Sequence, residues 1–376
     1  MNALRYLPFV RRGLSRKGPP LHLTLFVTGT CNARCRHCFH WKEVEQGVSG
    51  PSLEQVQNLA DSSARLGPLL WVSFGGGEPF LRKDLPDLAR AFGRHGLRHL
   101  AIPTNGLVEP LQHQHVDQIL GENPDLYLSV SVSFDGPPEV HDSIRQVEGG
   151  HKRSCASVVA FKEQAEKTDR LGVGIIVTVT QENQHDMAHH LEELVENLQP
   201  DNVTINLARG TAMEPHLLDV DLDRYREVVE TKARLIRSGK LPYFKFPLSR
   251  LAVARDELMY HHIEAEARQD RPEHLPCTAG TLSAVIFENG EVHSCEMLGQ
   301  SMGNLHDTDW DIGPIWSGSK AAELRDWITK TRCSCTWECA QADNVLFQPK
   351  KWPALLSRVR SLKSPPKSSA REIQVR

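Results

Sequence analysis

Three thiols lie close together near the start of the chain, where Cys31, Cys35 and Cys38 form a C-x3-C-x2-C pattern. Three thiolates from one short segment can bind three irons of a [4Fe–4S] cluster, which normally takes four cysteines. The fourth iron would then be open to a catalytic ligand. A structural zinc site is the alternative, because His37 or His40 could supply its fourth ligand. Spacing alone leaves both metal sites open.

Five further cysteines form a second group late in the chain, at Cys277, Cys295, Cys333, Cys335 and Cys339. The total of nine is odd, which fits a complete disulfide framework poorly. Clustered thiols in a reducing compartment are more often metal ligands. Cys155 stands alone in a helical pattern, and we interpret it as a small buried residue.

The elements that must position these thiols alternate along residues 21–210. Short β-rich runs alternate with helical stretches, which predicts βαβ units around a parallel sheet; the runs cover 21–28, 70–74, 99–103, 126–134, 172–180 and 202–207. Six such units predict an α/β fold with a partial (β/α)6 TIM-like barrel, and an open doubly wound sheet is the alternative. Glycine-rich, polar or cysteine-bearing segments follow the strands, so we expect them to meet at one mouth of the barrel.

Charge and hydropathy limit where the protein is expected to lie and what it is expected to contact. The net charge is −3, yet residues 1–20 carry five Lys or Arg and no acid, and residues 350–376 carry eight against one acid. We interpret these ends as solvated tails, with peripheral contact to an anionic membrane surface as the alternative. No apolar run reaches the roughly 20 residues of a membrane span, and no secretory signal precedes the first strand. We therefore expect a cytoplasmic protein with no nucleic-acid partner.

The cysteine pattern after the first strand, followed by Gly76, Gly77 and Glu78 after the second, resembles the radical S-adenosylmethionine superfamily. The resemblance implies that Cys31, Cys35 and Cys38 hold a [4Fe–4S] cluster and are the catalytic residues. It also implies that this cluster reductively cleaves S-adenosylmethionine to a 5′-deoxyadenosyl radical, which abstracts hydrogen from a substrate. The cofactor supplies this chemistry, and the protein supplies placement.

The same resemblance implies cofactor-binding roles for residues in the loops after the second to fourth strands: Gly76, Gly77, Glu78, Thr104, Asn105, Ser133, Asp135 and Arg145. Glu78 is expected to accept hydrogen bonds from the methionyl ammonium, and Arg145 is expected to pair with the methionyl carboxylate. A simple Asn-Gly turn is the alternative for Asn105, and a solvated helix face is the alternative for Arg145.

The second cysteine group resembles the SPASM or twitch auxiliary-cluster extension of that superfamily, since C-x-A-G, a hairpin at 288–292 and closely spaced cysteines follow in order. Five cysteines suit one auxiliary cluster with a spare thiol. The resemblance favours Cys277, Cys295, Cys335 and Cys339 as ligands, with Cys333 as the rival for either of the last two places. Zinc on the same thiolates is the alternative.

We therefore predict five segments: a basic N-terminal segment (1–20), the barrel (21–210), a helical connector (211–270), a small α+β auxiliary-cluster domain (271–345) and a basic C-terminal tail (346–376). The expected activity is oxidation or cross-linking of a peptide or protein side chain. The alternatives are a radical dehydrogenase or transferase acting on an amino sugar, alcohol or lipid, and a non-catalytic iron–sulfur redox protein. A one-electron reductant such as flavodoxin or ferredoxin is the expected partner.

Overall fold

One sheet contains every strand of the part of the chain that this computed structural model describes, residues 3–270 and 274–362. The sheet has nine strands, in the order β6-β5-β4-β3-β2-β1-β7-β8-β9. Their bounds are β1 His22–Thr28, β2 Trp71–Gly76, β3 His99–Thr104, β4 Tyr127–Phe134, β5 Leu171–Val179, β6 Asn202–Leu207, β7 Ser283–Ile286, β8 Glu291–His293 and β9 Ser301–Asn304. The first six agree closely with the predicted runs.

The first six strands are parallel and lie side by side in chain order. A doubly wound sheet reverses its strand order at a switch point, and no reversal occurs here. The partial barrel is therefore confirmed.

Helices connect successive strands and cover the outside of the sheet. Their bounds are α1 Leu7–Ser15, α2 Trp41–Gln46, α3 Leu53–Leu66, α4 Leu85–Gly93, α5 Leu111–Glu122, α6 Pro138–Arg145, α7 Gly150–Ala165, α8 Met187–Leu198, α9 Leu222–Ser238, α10 Ser249–Ala267, α11 Ile312–Ser317, α12 Ser319–Lys330, α13 Glu338–Leu346 and α14 Trp352–Ser361. Among these helices, none combines the length and hydropathy needed to span a bilayer.

The C-terminal strands extend the barrel sheet. Strand β7 pairs parallel to β1, with Leu23 opposite Ala284, and β8 and β9 add antiparallel strands beyond it. The predicted hairpin is present, and its turn closes with the Gly290 amide donating to the Phe287 carbonyl at 2.9 Å. The second cysteine group is thereby attached to the strand whose end carries the first group.

The chain ends differ from the predicted tails where they are described. Helix α1 inserts Phe9 into a small core with Leu21, Leu282 and Phe347. Helix α14 buries Leu355 in the main core and packs against α10. The predicted connector forms α9 and α10, as expected for a helical segment. The remaining basic run, 363–376, lies outside the described residues.

Candidate functional site

The first cysteine loop follows β1 and is tied to the end of α6. The Arg34 amide donates to the Arg145 carbonyl at 3.2 Å, and the Arg36 amide donates to the Ile144 carbonyl at 2.9 Å. Within the loop, the Cys38 amide donates to the Cys35 carbonyl at 3.0 Å. These bonds fix the loop backbone, so the three thiols are presented by a defined structure.

Burial makes these thiols hard to ionise in the metal-free chain. It raises the pKa of Cys35 to about 12 and that of Cys38 to about 11. It also raises the pKa of Cys31. Iron binding would offset the charge of each thiolate, so the donor set suits a cationic metal centre.

The glycines at the end of β2 are required mainly by close backbone packing within the protein. Gly76 has φ +121°, and a Cβ there would lie 2.1 Å from the Thr28 carbonyl oxygen. A Cβ on Gly77 would lie 2.2 Å from the Thr30 carbonyl oxygen. Both glycines therefore let this turn pack against the end of β1, while also lining the cavity beside the cysteines.

Glu78 is buried with its carboxylate already bonded. It accepts from the Thr104 hydroxyl at 2.9 Å, from the Asn105 amide at 2.7 Å and from the Phe80 amide at 3.1 Å. Burial nevertheless raises its pKa to about 7. Glu78 thus joins the second and third strand loops and faces the cavity with lone pairs to spare.

Asn105 connects the third loop to the cysteine loop. Its side-chain amide donates to Asn32 Oδ1 at 2.7 Å and approaches Cys31 Sγ at 3.9 Å. Its side-chain oxygen accepts from the Leu107 amide at 2.9 Å. The side chain is more than a turn residue, because it fixes the position of a predicted cluster ligand.

Arg145 and Ser133 reach the cavity, whereas Asp135 lies behind them. The Asp135 side chain is fully buried and does not line the cavity. It lies 2.7 Å from Arg145 Nε and 3.9 Å from His37 Nε2. Asp135 therefore positions the Arg145 guanidinium, which differs from the direct cofactor contact that the resemblance implied.

These loops enclose one cavity at the carboxyl ends of the barrel strands. It is lined by all three cysteines of the first group and by seven of the eight predicted cofactor-binding residues. Trp41, Glu45 and Met213 also line it, and sequence reasoning did not single them out. The buried indole nitrogen of Trp41 has no hydrogen-bond partner among the described residues, so it offers a free donor at the mouth.

The second cysteine group packs around Trp337. Cys277, Cys295 and Cys335 share a small apolar cluster with this buried indole. A hydrogen bond between Cys277 and Cys333 raises the pKa of Cys277 and lowers that of Cys333 to about 7. Cys333 therefore lies beside Cys277, which is one of the three thiols around Trp337.

Cys339 differs from the other members of this group, because it is the exposed one among them. Its neighbours also differ: Cys277, Cys295, Cys333 and Cys335 lie beside one another, whereas Cys339 lies beside Arg209, Glu296 and Glu338.

A buried ionic cluster holds this group against the barrel. Arg209, just after β6, lies 2.5 Å from Glu338 and 3.7 Å from Glu296. Glu338 also accepts from the Leu207 amide at 3.2 Å. Although burial opposes it, the two carboxylates raise the pKa of Arg209. The sequence showed Arg209 only as part of a polar loop after a strand.

The barrel matches a known family. Residues 25–194 match the family model described as "Radical SAM superfamily". These residues are therefore a radical SAM domain, and members of this superfamily are enzymes that use a [4Fe–4S] cluster and S-adenosylmethionine. Members of this superfamily need a reductant and a substrate.

Two curated relatives extend the comparison. The chain is 29% identical to the Fe-coproporphyrin III synthase of Methanosarcina barkeri, over 67% of this chain and 61% of that protein. It is 21% identical to the subtilosin biosynthesis protein AlbA of Bacillus subtilis, over 85% of this chain and 66% of that protein. The matched region thus spans less than two thirds of the length of each relative.

A solved structure shares the fold. SuiB of Streptococcus suis, in a crystal structure bound to S-adenosylmethionine, aligns with a TM-score of 0.58 and 16% identity. The alignment covers 86% of this chain and 72% of that one. This likeness supports the α/β fold described above.

Proposed function

We propose that this chain reductively cleaves S-adenosylmethionine at a [4Fe–4S] cluster bound by Cys31, Cys35 and Cys38. The bound cofactor would supply a 5′-deoxyadenosyl radical for hydrogen abstraction from the substrate. The observation that carries the proposal is the single cavity in which the three thiols, Glu78 and Arg145 meet.

Each protein group has a definable part in this site. Glu78 would bind the methionyl ammonium, and Arg145, held by Asp135, would bind the methionyl carboxylate. Asn105 would keep Cys31 in place through Asn32. The buried lining excludes water from the reacting atoms.

A second iron–sulfur cluster would lie in the C-terminal region. We infer that Cys277, Cys295, Cys333 and Cys335 bind it, because three of these thiols cluster around Trp337 and Cys333 lies beside Cys277 and Cys335. Such a cluster could accept the electron left on a substrate radical, which would convert hydrogen abstraction into net oxidation.

The proposed substrate is a peptide or protein side chain. The relative in Bacillus subtilis is named for subtilosin biosynthesis, and SuiB has been crystallised with a precursor peptide. A tetrapyrrole or another small molecule is the second candidate, because several relatives are named as haem or coproporphyrin synthases. Flavodoxin or ferredoxin is the proposed reductant, and a cytoplasmic location stays a prediction.

An anaerobic assay tests the proposal. The reconstituted protein is incubated with dithionite and S-adenosylmethionine, and 5′-deoxyadenosine is measured by mass spectrometry with a peptide pool or coproporphyrin III added. We expect product from the native chain and from Cys155→Ala, and none from Cys38→Ala. Product from Cys38→Ala at the native level would refute the site. The added substrate that raises the rate identifies the substrate class.

Peripheral membrane contact has its own supporting observation. Helix α1 exposes Leu7, Val10 and Leu14, whose spacing places them on one helix face beside Arg11. Such a face suits an anionic membrane surface. In vesicle co-sedimentation, binding should require anionic lipid, fall with salt and weaken in Leu14→Gln. Binding that depends on neither lipid charge nor salt concentration would contradict contact with an anionic membrane surface.

A further inference from the structure

A second cavity lies away from both cysteine groups, between α9, α10 and α14. It encloses about 310 Å³ and shares no lining residue with the cavity at the barrel mouth. Small-molecule sites usually start near this size. Its lining combines cationic groups, of which Lys232 is buried, with apolar side chains.

The ammonium of Lys232 lines this cavity with few partners. Lys232 is 4% exposed, and its Nζ has the Tyr260 hydroxyl at 3.5 Å and Asp256 Oδ2 at 3.9 Å. Both distances exceed the usual hydrogen-bond range of about 2.7–3.2 Å. The Tyr260 oxygen already accepts from the Ile205 amide at 3.0 Å. The ammonium also lies 4.8 Å from the centroid of the Tyr260 ring, so its partners are a ring face, a hydroxyl and a carboxylate, and each leaves room for a closer acceptor.

A second cationic donor faces the same cavity. The Nε of Arg358 is buried and makes no hydrogen bond within the described residues, and Glu257 Oε1 lies 3.4 Å away as its ion-pair partner. Asp256 is already engaged, since its Oδ1 accepts from Arg255 at 2.6 Å. The carboxylates nearest Lys232 and Arg358 thus lie beyond the usual hydrogen-bond range, so a bound acceptor at closer distance would stabilise this arrangement.

The charges around the cavity leave room for one more anion. Lys232, Arg237 and Arg358 line it with Asp256 and Glu257, and Asp256 is shared with Arg255. The lining side chains themselves sum to one positive charge, and Arg255, which does not line the cavity, also lies beside Asp343. A monoanion would neutralise the charge of the lining.

The rest of the wall is apolar, with Val229, Ile236 and Val253 from the two long helices. A free inorganic anion would leave this apolar surface uncovered. A ligand with both an anionic end and a short hydrocarbon chain would satisfy both parts of the lining.

We propose that this cavity binds a small organic monocarboxylate, with its carboxylate on Lys232 and Arg358 and its hydrocarbon chain against Val229, Ile236 and Val253. The site is independent of S-adenosylmethionine cleavage. Burial lowers the pKa of Lys232 to about 8, so the ammonium remains charged at neutral pH.

Isothermal titration calorimetry of the reconstituted chain with octanoate tests the proposal, and 1-octanol serves as the neutral match of equal chain length. We expect saturable one-site binding of octanoate and at least tenfold weaker binding of 1-octanol. Lys232→Met should weaken octanoate binding at least tenfold. Lys240→Met, a charge removal at an exposed position outside the cavity, should leave it unchanged.

Three outcomes would overturn the proposal: no saturable heat with octanoate, equal affinity in Lys232→Met and the native chain, or equal affinity for octanoate and 1-octanol. The first would mean that only water fills the cavity. If circular dichroism shows that Lys232→Met does not fold, Arg358→Gln replaces it, and binding unchanged in that variant equally overturns the proposal.

Discussion

The two cysteine groups are assembled by different means. One loop after β1 supplies Cys31, Cys35 and Cys38, and backbone bonds to α6 fix that loop. The second group collects thiols from three separated segments, which meet because β7 pairs with β1 and because Trp337 packs between them. The first site thus depends mainly on local structure, and the second depends on long-range contacts.

Each group also has a largely buried arginine beside it, and only one of the two arginines lines the barrel cavity. Arg145 lines the barrel cavity and is held by Asp135. Arg209 does not line that cavity and is enclosed by Glu338 and Glu296. The first guanidinium is available to a ligand, whereas the second connects two parts of the fold.

The largest expected effect comes from removing one ligand at a time. Cys38→Ala should abolish 5′-deoxyadenosine formation and lose only part of the iron, because the second cluster does not use the β1 loop. Cys333→Ala should lose the iron of the proposed second cluster, and Cys339→Ala should keep the iron of both clusters. Iron analysis and electron paramagnetic resonance of the anaerobic proteins measure this.

Two results would contradict that comparison. Complete loss of iron in Cys38→Ala would show that the clusters are not independent. Loss of the second cluster in Cys339→Ala but not in Cys333→Ala would show that Cys339 is the fourth ligand, as the family resemblance favoured.

The next effect concerns the long-range contacts of the second group. Arg209→Met leaves Glu338 and Glu296 buried without their cation, so it should lower the free energy of unfolding by about 3–5 kcal/mol. Arg65→Met is the matched control, because Arg65 pairs with Asp311 at the surface, and it should cost below about 1 kcal/mol. Urea unfolding measures both. If both variants lose an equally small amount of unfolding free energy, Arg209 does not hold the second cysteine group against the barrel.

The smallest effect concerns cofactor binding at the first group. Glu78→Gln should weaken S-adenosylmethionine binding about tenfold, or about 1.4 kcal/mol, because the methionyl ammonium loses its charged acceptor. Since burial raises the pKa of Glu78 to about 7, native binding should tighten as the pH rises through 7. Calorimetry between pH 6 and pH 8, about one unit on either side of this pKa, measures how the affinity for S-adenosylmethionine changes with pH. The Glu78→Gln variant should not show this pH dependence.

The same carboxyl affects the stability of the cofactor-free chain with a definite sign. Its pKa is higher in the folded state than the ordinary value of 4.5, so the folded state binds more protons between about pH 4.5 and pH 7. Stability should therefore fall as the pH rises through this window. A Glu78→Gln chain with the same slope as the native chain would contradict this assignment.

The sequence by itself determined the parts whose signal is local. Alternating β-rich and helical runs placed all six barrel strands, because parallel strands covered by helices are apolar on both faces. The C-x3-C-x2-C spacing and Gly76-Gly77-Glu78 predicted two loops that line the barrel cavity, since a single short segment carries each pattern. The hairpin at 288–292 was also predictable from its turn.

Only the tertiary structure decided the parts that depend on contacts between distant segments. The pairing of β7 with β1, the position of Asp135 behind Arg145, the proximity of Cys333 to Cys277, and the enclosure of Arg209 all join residues far apart in the chain. Residue type and spacing carry no information about such pairs, because packing and charge compensation are settled only when the separate segments fold against one another.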